Sequence, residues 1–99
     1  MKDIIHGLNK AFESRIRLGI MSILMVNENA EFNMLKEVLN ITDGNLASHT
    51  SALEKLQFIE VKKQFIGKKP NTTYNATALG KKAFRDHLDF LEKIIRTKS

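Results

Sequence analysis

Asn33-Met-Leu-Lys-Glu-Val-Leu-Asn-Ile-Thr-Asp-Gly-Asn-Leu-Ala-Ser-His-Thr-Ser-Ala-Leu-Glu-Lys-Leu-Gln57 is the stretch on which the fold turns. Leu35, Val38 and Leu39 share one face at helical spacing, with Asn33 placed to cap that helix and Asn40 to end it. Ile41-Thr-Asp-Gly44 makes a turn. Thr42 then caps the next helix, Asp43 sits in its first turn, and the run from Asn45 to Gln57 carries an inward stripe of Leu46, Thr50, Leu53 and Leu56 or Gln57. Two helices joined by about four residues give the helix-turn-helix pattern. Many helical hairpins in small domains look alike, so the pattern needs support from outside itself.

The outer face of the second helix supplies the first support. Leu35, Val38 and Leu39 are expected to pack on Leu46 and Leu53, with Ile41 plugging the corner. Asn45, Ser48, His49 and Ala52 then point away from the core. They are short enough for the helix to lie deep in a major groove, and Asn, Ser and His each read base edges. Gly44 opens the helix N-terminus, whose N–H groups and dipole suit a phosphate.

The segment that follows supplies the second. Phe58 to Ile66 changes to period two and is rich in β-branched and aromatic residues; Gly67-Lys-Lys-Pro-Asn71 reads as a turn, and Thr72 to Thr77 as a returning strand. This hairpin, with Lys68 and Lys69 at its tip and Lys62 and Lys63 along it, suits phosphates or a narrow minor groove. The chain carries a net charge of +5, with a pI of about 9.6. From Val61 to Arg85 there are seven Lys or Arg and no acid, so the other nine basic residues face all eleven acids, a net of −2. One segment holds all the excess positive charge.

Upstream, the spacing of Phe12, Ile16, Ile20, Ile23, Leu24 and Val26 predicts an amphipathic helix over 9–26, capped by Asn9, with Ala30 to Phe32 as a short edge strand. Met21 and Met25 read as core filler. Downstream, Thr77 or Ala78 opens a last helix through about Arg96. Its apolar residues exceed one stripe: Phe84, Leu88, Leu91 and Ile95 form a seam, with Phe90 and Ile94 beside it. Together with Ile4, Ile5 and Leu8, that seam is expected to form a homodimer interface.

At 99 residues the chain is read as one domain over 1–99, with the helix-turn-helix at 33–57, the hairpin at 58–77 and the last helix at 78–96. The longest apolar candidate, Ile16 to Val26, is broken by Arg17, Gly19 and Ser22, and the start shows no secretory pattern; a cytoplasmic protein without membrane contact is expected. No cysteine is present, which removes disulfides, thiolate zinc sites and Cys nucleophiles. His6, His49 and His87 are too few and scattered for a metal centre. His49 is expected on DNA, and His87 solvated or at an interface. No catalytic spacing occurs, and Gly67-Lys-Lys69 lacks the second glycine and following helix of a phosphate loop. No enzyme, metal or cofactor is expected.

Thr42-Asp-Gly-Asn-Leu-Ala-Ser-His49, Leu53-Glu-Lys-Leu56, Ile59-Glu-Val-Lys-Lys63, Gly67-Lys-Lys-Pro-Asn-Thr-Thr-Tyr74 and Leu79-Gly80 together resemble the small winged-helix transcriptional regulators close to MarR and ArsR. The likeness runs from about Phe12 to Leu91 and includes Arg15-Ile-Arg-Leu18. It implies an α+β fold, mainly α: a three-helix core, a hairpin wing and a C-terminal dimerisation helix. It also implies binding of double-stranded DNA by a homodimer, with the third helix in the major groove and the wing in the minor groove. Asn45, Ser48 and His49 fall on recognition positions and Lys68, Lys69 and Thr72 on wing positions; Thr42, Gly44, Lys62 and Asn71 complete the expected DNA-binding set. In one departure, His49-Thr50 stands where Arg or His followed by an aliphatic is common, so no guanine-reading Arg is offered. The competing reading is a winged-helix module that binds protein or RNA without operator specificity.

Overall fold

Ser14 is where the first long helix starts. The computed structural model describes residues 7–96; Ile4, Ile5 and His6 lie outside them. Helix α1 spans Arg15–Val26, and the Ser14 hydroxyl accepts from the backbone N–H groups of Ile16 at 3.2 Å and Arg17 at 3.4 Å. The single helix expected over 9–26 is therefore corrected: Asn9 caps only a 3-10 turn, Lys10–Phe12, and the extended Ser14 separates the two. The break swings Phe12 into the core, where it stacks on Phe58 with ring centroids 5.6 Å apart and meets Phe84 edge-on at 5.2 Å.

Strand β1, Ala30–Glu31, runs directly into helix α2, Phe32–Leu39. Asn33 does not cap it. Glu31 occupies the cap position without a side-chain bond, because its pairing with Thr73 in the sheet already fixes the extended backbone there. Leu35 is buried and Leu39 half-buried, whereas Val38 is 62% exposed, so the expected apolar face is narrower by one residue. In a helix of 8 residues the packing partner covers only one ridge. Asn40 adopts the left-handed conformation, and the Ile41 N–H closes on the Lys36 carbonyl at 3.2 Å.

Helix α3, Asp43–Lys55, is capped as expected: the Thr42 hydroxyl accepts from the Asn45 N–H at 3.1 Å. Leu46, Thr50 and Leu53 are buried, and the Thr50 hydroxyl donates to the Ala47 carbonyl; Leu56 and Gln57 are exposed instead of inward. Gln57 takes a φ of +63°, and the Phe58 N–H reaches back to the Leu53 carbonyl at 3.0 Å. The inward stripe ends there because the chain turns into the sheet.

Strands β2, Ile59–Ile66, and β3, Lys69–Ala76, pair antiparallel, and β1 joins the far side of β3 to give the order β1-β3-β2. The turn is shorter than the expected five residues. Ile66 pairs with Lys69, so Gly67 and Lys68 alone make it, with Gly67 at a φ of +64°. Pro70 lies within β3 opposite Phe65. That pair adjoins the hydrogen-bonded closing pair, so the missing N–H costs no ladder bond.

Helix α4, Ala78–Arg96, starts at Thr77, whose hydroxyl accepts from the Gly80 N–H at 2.9 Å and donates to the Gln57 carbonyl at 2.7 Å. A Cβ at Gly80 would collide with the Phe58 carbonyl oxygen, so only glycine allows this approach. Ile20, Met21, Leu24, Leu35, Leu46, Leu53 and Ile59 form the most deeply buried part of the core, where α1, α2, α3 and the sheet meet. Phe84, expected on the dimer seam, is buried in this core beside Phe12, and His87 is buried rather than solvated. The His87 ring lies edge-on to Phe12, and its Nδ1 accepts from the Asn9 N–H at 3.0 Å.

Candidate nucleic-acid interface

Thr42, Gly44, Asn45 and Ser48 lie exposed along the first two turns of α3, and His49 is half-exposed beside them. Apart from the adjoining backbone of its own helix, no atom lies within 4 Å of where a Cβ on Gly44 would stand, so the helix N-terminus is open to a close approach. Asp43 is tied back to Lys36 of α2 at 2.9 Å, which links the two helices and draws the nearest acid into an ion pair. His49 is not free on all sides: the Arg17 Nε of α1 donates to its Nδ1 at 3.1 Å. Burial, and then the neighbouring guanidinium, lower the imidazole pKa from its ordinary value.

The wing divides into two faces. Ile59 is buried and Val61 half-buried towards the core, so odd-numbered residues of β2 face the helices and even-numbered ones face away. Lys63 therefore shares a shallow hollow with Ala47, Ser51 and Thr72, while Lys62 lies on the opposite face. The sequence pattern names both lysines along the hairpin but places only Lys62 in the expected set. Counting alternation outward from Ile59 and Val61 selects Lys63. Lys68 and Lys69 are exposed at the tip. Asn71 is engaged within the protein: its amide nitrogen donates to the Glu31 carboxylate at 3.2 Å, and its oxygen accepts from Gln64 at 3.5 Å.

Of the expected dimer residues, Leu8 and Leu91 are half-buried, Leu88 is 44% exposed and Ile95 is 81% exposed. Among the described residues, no group of three or more His, Cys, Asp or Glu is arranged to hold a metal, and no helix is long and apolar enough to cross a membrane.

A helix-turn-helix with a tethered hairpin after its second helix defines a winged helix. The model of the winged helix DNA-binding domain family matches residues 16–95, and the chain belongs to that family. It is 42% identical over 79 residues to an uncharacterized protein of Methanocaldococcus jannaschii, covering 80% of this chain and 86% of that one. The solved structure of a transcriptional regulator homologue from Pyrococcus horikoshii superposes with a TM-score of 0.83 at 31% identity, over 95% of this chain and 91% of that chain. HlyU from Vibrio cholerae shares the fold at 18% identity, with a TM-score of 0.63 over 97% and 96% of the two chains. The family match thus fixes the frame as a winged helix DNA-binding domain.

Proposed function

We propose that the protein is a sequence-specific regulator that binds double-stranded DNA as a homodimer and performs no chemistry of its own. In this reading α3 enters the major groove, with Asn45, Ser48 and His49 towards base edges and Thr42 and Gly44 near a phosphate. Lys63 and Thr72, from the helix-facing side of the wing, and Lys68 and Lys69, from its tip, lie on the backbone or minor groove, and Lys62 adds long-range attraction from the far face. The observation that carries the reading is the exposed, small-residue start of α3, whose helix shares a hollow with Lys63 of the wing. Exposed Leu88 and Ile95 on α4 support a two-fold dimer.

Selection from random duplexes tests it. Wild type should recover an inverted repeat with half-sites about 10 base pairs apart or a multiple of one turn, blurred in His49→Ala. Recovery of no motif would favour the protein- or RNA-binding alternative. For the dimer, Leu88→Glu with Ile95→Glu should sediment as a monomer. A wild type that is monomeric at micromolar concentration would refute the assembly.

A further inference from the structure

Arg17 stands on α1, outside the helix-turn-helix and the wing, yet it touches the outer face of α3. Its backbone is fixed by the Ser14 cap, so the side chain leaves α1 from a set position. An arginine Nε is always a donor, because the guanidinium keeps its proton in proteins. The ring nitrogen that receives it must therefore be bare. With Nδ1 bare and accepting, the neutral imidazole carries its proton on Nε2.

We infer that Arg17 is a positioning residue for recognition: it holds His49 as a neutral imidazole that offers one donor, Nε2–H, to the groove. This rests on the proposed placement of α3 on DNA. A fixed donor selects acceptors on base edges, which in the major groove are guanine N7 and O6, adenine N7 and thymine O4. It rejects the amino groups of cytosine and adenine, which an unrestrained imidazole in the other tautomer would accept. Arg17 takes part in no ion pair among the described residues, so its charge stays beside the ring and opposes protonation there. Recognition by His49 then depends on a residue some thirty positions upstream.

Two readouts test the inference separately from the function it rests on. In the free protein, long-range nitrogen–proton NMR of the imidazole should show His49 in the Nε2–H form. In Arg17→Ala the ring should mix tautomers and titrate at higher pH, while Arg17→Lys should restore part of the wild-type pattern. A wild-type ring protonated on Nδ1, or one unchanged by either substitution, would overturn the proposal. On DNA, Arg17→Ala should cut the preference at the base pair read by His49 by about fivefold, the size of one hydrogen bond. The same substitution in a His49→Ala background should have no further effect on that preference. If Arg17→Ala instead weakens every duplex equally and lowers the salt slope, Arg17 is a phosphate contact and the proposal fails. A wild type that selects no motif would overturn the DNA-reading function, whatever the ring spectrum shows.

Discussion

Helices α3 and α4 are assembled from the same local parts and differ in where those parts face. Each starts at a threonine whose hydroxyl caps the N–H three residues on, each has a glycine in its first turn, and each carries a histidine whose Nδ1 accepts from an N–H far upstream. In α4 the glycine is pressed against the Phe58 backbone and the histidine is buried on Phe12. In α3 the glycine faces open space and the histidine is half-exposed. Capping chemistry starts a helix, and burial decides whether its first turn serves the core or a partner.

The sharpest way to break this comparison is to add one methyl group at each glycine. Gly80→Ala should destabilise by about 3 kcal/mol, since the Phe58 carbonyl has no flexible side chain to move aside. Thermal unfolding would read it as a loss of roughly 15 °C. A midpoint within a few degrees of wild type would show that α4 can slide. The caps should differ next. Thr77→Ala loses a cap and a donor to Gln57, about 2 kcal/mol, whereas Thr42→Ala loses only the cap, about 1 kcal/mol. Equal shifts in urea midpoint would undo the distinction.

Gly44→Ala should run the other way in the free protein, stabilising by up to about 1 kcal/mol because alanine is the better helix former and meets no atom. Affinity for duplex DNA should fall about tenfold, or 1.4 kcal/mol, if the backbone approaches a phosphate there. A variant that gains stability and keeps affinity would place that turn away from DNA. The mildest effect is the pH dependence of His87. Burial lowers its folded pKa, with Glu13 opposing weakly, while the unfolded value stays near 6.5. Between the two values the unfolded chain binds more protons, so stability rises with pH up to about 6.5, is level above it, and falls on acidification below it. Urea titrations at about pH 7.5 and 5.5 should show this fall, reduced in His87→Asn; equal slopes in the two proteins would remove His87 as its source.

Local signals in the sequence located most of the elements. Thr42 as a cap, the Leu46–Thr50–Leu53 stripe and the return of the strand after Gly67 are set by neighbours a few residues apart, and all three are present. What the pattern missed depends on distant contacts. Asn33 has the better capping side chain, but the pairing of Glu31 with Thr73 starts the helix earlier. The burial of His87 follows from Asn9 and Phe12 folding back across nearly the whole chain. Phe84 looks like part of a surplus seam until Phe12, freed by the break at Ser14, takes it into the core. At the candidate interface, exposure of Asn45 and Ser48 was legible from helical spacing. The hold of Arg17 on His49 joins two helices and has no local signature.

Strand β1 gives the wing an unequal mechanical character. Its two residues clasp β3 at Thr73 and Tyr74, and the Glu31–Asn71 bond adds a stay just beyond. Past Gln64 and Asn71 the hairpin is a two-stranded ribbon of two residue pairs, Phe65–Pro70 and Ile66–Lys69, closed by the Gly67-Lys68 turn. Such ribbons twist more readily than wider sheets. The wing is a cantilever: its root is clamped to the helix-turn-helix, and its lysine-bearing tip is free to flex. In the proposed complex such a tip follows a groove of varying width while α3 keeps its seat.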